Sequence, residues 1–118
     1  MKRRPRVTYE TVRQIALTFP CVEDGTSYGT SALKVYGKLF VRLKEDRDSI
    51  VVRMRFDLRD EMMSAAPETY YITEHYRNYD CMLVRLSKLL PEALPDLLKI
   101  ANSAALPSKR KPAKPRRV

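Results

Sequence analysis

Leu33 to Arg55 reads LKVYGKLFVRLKEDRDSIVVRMR, and its apolar residues recur at every second position. Leu33 and Val35 alternate with Lys34 and Tyr36. Gly37-Lys38 offers a turn, and Leu39, Val41 and Leu43 then alternate with Lys38, Phe40, Arg42 and Lys44. After the polar turn Glu45-Asp46-Arg47-Asp48, Ile50, Val52 and Met54 alternate with Val51, Arg53 and Arg55. Side chains on a strand point to opposite faces in turn, so this pattern, taken back to Thr26, predicts an antiparallel meander with one buried face.

Helical spacing flanks the meander. Val12, Ile15, Ala16 and Phe19 recur at i, i+3, i+4 and i+7, predicting a helix over 8–19 with Thr8 as N-cap and Pro20 as its stop. Glu23-Asp24-Gly25 reads as a turn. Asp57 reads as the cap of a short helix to about Ala66, closed by Pro67. Tyr70–Ile72 and Met82–Leu86 are further strand candidates, separated by a polar loop around His75 and Asn78. Pro91 to Ala105 carries Leu94, Leu97, Leu98 and Ala101 on one stripe, with Pro95 restricted to the first turn of that helix. The order of elements predicts a single-domain α+β fold, an antiparallel sheet packed against N- and C-terminal helices.

The chain has 118 residues, with 23 Lys+Arg against 14 Asp+Glu and a formal net charge of +9. All of the excess lies at the two ends. Residues 1–6 hold Lys2, Arg3, Arg4 and Arg6, and residues 108–118 hold Lys109, Arg110, Lys111, Lys114, Arg116 and Arg117, with no acid in either segment. Between them stand 13 positives and 14 negatives, a net of −1. This divides the chain into a basic arm (1–7), a domain (8–106) and a Pro/Lys/Arg-rich tail (107–118), the ends predicted to be disordered. Apolar runs of a few residues predict no membrane span, and no apolar segment follows the basic start as a secretory signal would require. Cys21 and Cys81 form no CxxC pair, so neither a disulfide scaffold nor a zinc set is expected, and a reducing cytoplasm is the expected compartment.

The alternation also assigns a second, outward face. Lys34, Lys38, Arg42, Lys44, Arg53 and Arg55 would lie on it with Tyr36 and Phe40 interleaved, while the acids cluster at 23–24, 45–48 and 57–61. Cations that meet phosphates and rings that stack on bases or sugars suit a nucleic-acid surface, and the same pattern also suits an ordinary solvated sheet face.

Two blocks carry a family resemblance. Pro20 to Phe40 reads PCVEDGTSYGTSALKVYGKLF, and Thr73-Glu74-His75-Tyr76-Arg77-Asn78-Tyr79 precedes the strand CMLVRL at Cys81–Leu86. These resemble the MmcQ/YjbR family over about Val12 to Ala101. That family usually reads LPG-x-x-E, then SYG-x-PAFKV-x-GK, then T-x-HY and VLVRL. Ser31 departs from its usual Pro, Leu33 from its Phe, and Cys21 from its common Gly. The resemblance implies an α+β fold similar to the bacterial frataxin (CyaY) type, the double wing, and a DNA-binding label; it implies no catalytic residues.

Candidate chemistry is sparse. His75, the sole histidine, stands beside Glu74, Tyr76 and Tyr79. It reads first as a structural hydrogen-bonding group and second as part of a small-molecule pocket with Tyr28, Tyr76 and Tyr79. Cys81 reads as a strand-edge or buried thiol, not a nucleophile, with no neighbour that would clearly activate it. The expectation from sequence is a non-enzymatic DNA-binding protein without cofactor or metal. Phosphate contacts would come from the outward sheet face (Lys34, Lys38, Arg42, Lys44, Arg53, Arg55) and from the tail (Lys109, Arg110, Lys111, Lys114, Arg116, Arg117). The alternatives are a ligand-binding or resistance-type protein using the Tyr28/His75/Tyr76/Tyr79 region, and an interaction module for acidic partners.

Overall fold

Thr8 takes the N-cap of the first helix, α1 (Tyr9–Ala16), in a capping box: its Oγ1 accepts from the Thr11 backbone N–H at 3.3 Å, and Thr11 Oγ1 accepts from the Thr8 N–H. The computed structural model describes residues 7–27 and 29–106. The helix closes earlier than its apolar spacing suggests. The N–H groups of Thr18 and Phe19 bond three residues back, to Ile15 and Ala16, so 17–19 tighten into a turn before Pro20. Helical backbone is disfavoured before a proline, which favours an ending ahead of Pro20. Phe19 still packs against the core from the turn.

Six strands follow: β1 (Val22–Ser27), β2 (Thr30–Val35), β3 (Lys38–Leu43), β4 (Ser49–Arg53), β5 (Tyr70–Tyr71) and β6 (Cys81–Arg85). They form one antiparallel sheet in the order β1-β2-β3-β4-β6-β5. Helix α2 (Phe56–Ala65) links β4 to β5, and α3 (Leu94–Ala105) follows a 3-10 turn at Pro91–Ala93. Pro95 stands in the first turn of α3, where its missing N–H costs no helical bond, and Leu94, Leu97, Leu98, Ala101 and Ala105 bury one face. A single α+β domain is thus what the pattern predicted.

Three local readings need correction. Glu23-Asp24-Gly25 is not a turn but the middle of β1, an edge strand whose side chains are mostly exposed. It is held by its backbone ladder to β2, and a strand with no buried face shows no hydrophobic period. Tyr36-Gly37, not Gly37-Lys38, turns β2 into β3; both residues have positive φ (51° and 77°), as a two-residue type I′ hairpin between Val35 and Lys38 requires. Arg55, not Asp57, takes the cap position of α2, and the Asp57 carboxylate bonds the Leu58 N–H inside the first turn. Cys21 has φ +63°, the left-handed region in which glycine meets no Cβ penalty.

A fourth correction decides what the sheet can do. Leu33 pairs with Val41, yet the next residue, Lys34, pairs with Leu39, so Phe40 is an extra residue in β3. Strict alternation places Leu39 inward and Phe40 outward. The bulge reverses both: Phe40 is 1% exposed within the core, and Leu39 turns to the opposite face. Past the bulge the alternation resumes. Val41, Leu43, Ile50, Val52 and Met54 join Leu33, Val35, Met82 and Val84 beneath α1 and α3.

Burying a side chain of this size contributes about 1.5–3 kcal/mol from transfer alone, and truncation adds the cost of the cavity left behind. Phe40→Ala should therefore lower the unfolding free energy by about 3–5 kcal/mol. Leu39→Ala, at a half-exposed position, should cost about 1 kcal/mol. Urea unfolding of both variants checks the assignment; equal losses, or the reverse order, would restore the regular alternation.

Candidate functional site

The sheet face opposite α1 and α3 is not an open plane. Ala32, Val51 and Leu83 lie on it and are nearly or fully buried. A strap of residues 73–80, between β5 and β6, crosses part of it. The strap begins with a 3-10 turn (Glu74–Tyr76) and continues through tight bonds from the Arg77 N–H to the Glu74 carbonyl and from the Tyr79 N–H to the Tyr76 carbonyl. Between strap and sheet lies a cleft of about 590 Å³, a volume that suits a small organic ligand.

Leu39, Val51 and Cys81 form the apolar floor of the cleft, and the strap lines it with Thr73, His75, Tyr76 and Tyr79. The rings make one aromatic group. His75 meets Tyr76 edge-on with centroids 4.7 Å apart, and Tyr79 lies tilted by 41° at 6.0 Å from His75. The charged end holds Arg42, Lys44 and Glu45.

Arg42 is the anchor of that end and is only 6% exposed. Its Nη2 donates to Tyr76 Oη at 3.1 Å; its Nη1 donates to Thr30 Oγ1 at 3.1 Å and to Glu45 Oε2 at 3.3 Å. Glu45 accepts a bond from its own backbone N–H and sits beside the Arg42 charge, so its carboxyl is held below the usual range. Burial pushes the Cys81 thiol up despite the nearby Arg53, so Cys81 stays protonated and inert as a nucleophile near neutral pH. Cys21 and Cys81 are both free. Among the described residues, no group of three His, Cys, Asp or Glu side chains is placed to hold a metal ion.

The strap is pinned from behind by a residue that the sequence reading did not single out. Arg59 of α2, 6% exposed, donates from Nη1 to the carbonyls of Tyr76 (3.3 Å), Tyr79 (2.9 Å) and Cys81 (3.3 Å), and from Nη2 to that of Arg77 (3.3 Å). Its guanidinium also lies over the Phe56 ring, 4.8 Å from the centroid. A charged residue in a mid-chain helix reads as solvated surface, so its burial had no signal in the sequence.

Of the six outward cations expected on the sheet, Lys38 and Arg55 are exposed, while Lys34 and Lys44 are half-buried. Arg42 lies on the face opposite the core, as the alternation expects, but is buried there and not open to solvent. Arg53 is turned inward upon the chain: its Nε and Nη2 donate to the Leu39 carbonyl at 3.1 and 2.9 Å, and its Nη1 pairs with Asp80 at 3.4 Å. The β3–β4 pairing ends at Val41 and Val52, so the Leu39 carbonyl lies beyond the ladder and takes its donors from this side chain. Phe40, expected as an exposed stacking ring, is in the core. Of the expected pocket residues, His75, Tyr76 and Tyr79 come together, whereas Tyr28 lies outside the described residues. So do Lys109, Arg110, Lys111, Lys114, Arg116 and Arg117.

No family model matches the chain, and no curated protein matches its sequence. A solved structure does share the fold: the Deinococcus radiodurans protein DR2400, which carries a DUF419 domain, is similar with a TM-score of 0.69 at 17% identity. The likeness covers 86% of this chain and 80% of that one.

If Arg59 sets the strap, Arg59→Met should leave buried carbonyls without donors and cost about 3 kcal/mol of stability. Amide exchange should quicken at residues 76–81 ahead of β2 and β3. Uniform exchange throughout the domain would assign Arg59 to general packing instead.

Proposed function

We propose that this chain is a non-enzymatic, MmcQ/YjbR-like protein of the cytoplasm that binds a small organic ligand in the cleft between the 73–80 strap and the sheet. One observation carries the reading: three aromatic side chains roof an apolar floor beside a buried, fully engaged arginine. Such a combination of apolar walls with a few oriented polar groups is how small-molecule sites are built. The sheet-face cations favour the same reading. Arg42 and Arg53 spend their donors on the protein's own oxygens, so they brace the cleft and leave little of a continuous phosphate-docking plane.

An amide-detected screen of a fragment library tests this. Binders should shift Leu39, Val51, His75, Tyr76, Tyr79 and Cys81 together, and Leu39→Trp, which fills the floor, should abolish the response. At a ligand concentration one hundred times its dissociation constant, the fold should gain about 2.7 kcal/mol. Shifts scattered over the surface, or surviving Leu39→Trp, would contradict the reading.

A second reading rests on the charge partition. Ten cations and no acid stand in residues 1–6 and 108–118, so contact with DNA would be made through the ends of the chain, without sequence preference. Binding to a random duplex should then fall linearly in log K against log salt. A chain ending at Pro107 should lose up to about five units of that slope, at about 0.9 per phosphate contact. An unchanged slope would exclude residues 108–118 from DNA contact and contradict the assignment to both ends.

A further inference from the structure

The ligand class follows from how the charged end of the cleft is wired. Arg42 and Glu45 pair at 3.3 Å, so their charges offset each other within the wall. Lys44 approaches Glu45 only to 3.9 Å, and its side chain is 25% exposed. With these three the lining carries a net single positive charge, and Lys44 is the member with the loosest pairing. Tyr76 supplies a second polar group. Its oxygen accepts from the Arg42 guanidinium, which leaves the phenol proton to donate and polarises it toward an acceptor in the cleft. The rest of the lining carries no formal charge with His75 neutral: the rings of His75 and Tyr79, Thr73, and the Leu39, Val51 and Cys81 floor. Tyr79, 56% exposed, offers a ring there on which a flat ligand can stack.

Resting on the cleft reading above, we propose that the ligand is a planar aromatic carboxylate. Its ring lies against Tyr79 and His75 over the Leu39–Val51 floor, and its carboxylate accepts hydrogen bonds from the Tyr76 hydroxyl and the Lys44 ammonium. A net charge of one positive matches one negative charge, which favours a carboxylate over a phosphate dianion. The apolar floor disfavours a ligand that carries its charge on both ends.

Four probes of matched shape, titrated into the full chain and followed by cleft amide shifts, decide it: naphthoate, naphthylmethanol, naphthylmethylammonium and naphthyl phosphate. Naphthoate should bind about tenfold more tightly than naphthylmethanol, the gain expected of one charge-assisted hydrogen bond, and the ammonium probe least. Lys44→Gln should remove most of that advantage and weaken naphthylmethanol far less than naphthoate. Tyr79→Ala should weaken both probes alike. Equal binding of naphthoate and naphthylmethanol, or tighter binding of the phosphate, would overturn the carboxylate assignment while the cleft stands. Cleft amides unmoved by all four probes would overturn the cleft reading and this inference together.

Discussion

One extra residue in β3 governs the arrangement of this protein. Phe40 enters as a bulge between the Leu33–Val41 and Lys34–Leu39 pairs, and three consequences follow from it. The core gains an aromatic ring that a regular strand would have presented to the other side. The other face gains Leu39 as an apolar floor residue. The Leu39 carbonyl falls past the end of the β3–β4 ladder, and Arg53 satisfies it with two donors. Bulges bend a strand and re-aim side chains, and here the re-aiming converts a would-be solvated face into one wall of a cleft.

The arginines complete that conversion. Each of Arg42, Arg53 and Arg59 is directed at oxygens of its own fold: a phenol and a carboxylate, a stranded carbonyl, and the strap's carbonyls. A guanidinium with five donors can serve several acceptors at once, and it is the side chain able to knit an irregular segment such as 73–80 to a sheet. These three arginines therefore act internally, alongside exposed pairs such as Arg13 with Asp24 at 2.6 Å. The excess positive charge of the chain belongs to its ends. The net charge and the domain's own site are separate subjects, and a basic isoelectric point by itself describes the ends.

Much of this was legible in the sequence where burial is one-sided. The stripe on α3, the Thr8 cap, the confinement of Pro95 and the α+β order follow from periods and caps that act locally. What escaped is what depends on pairing or on distant partners. Edge strand β1 has no buried face and so no period. The bulge is a property of two strands together: Leu39-Phe40-Val41 are all apolar, and which of them turns outward is decided by β2. Arg42 and Arg59 are buried because the segment around 76–81, from 17 to 34 residues away, presents oxygens to them. In the aromatic loop, by contrast, the clustering of His75, Tyr76 and Tyr79 within five positions was itself the signal, and the fold brings those three to one cleft.

The face assignment at the bulge is the claim on which the cleft depends, and proton–proton contacts read it directly. In a methyl- and aromatic-labelled sample of the full chain, the account predicts cross-peaks from the Leu39 methyls to Val51 and to the Tyr79 ring. The Phe40 ring should instead meet methyls of the core cluster, with none to the strap. Leu39 methyls found among the core residues, with the Phe40 ring against the strap, would contradict it and remove the cleft's floor.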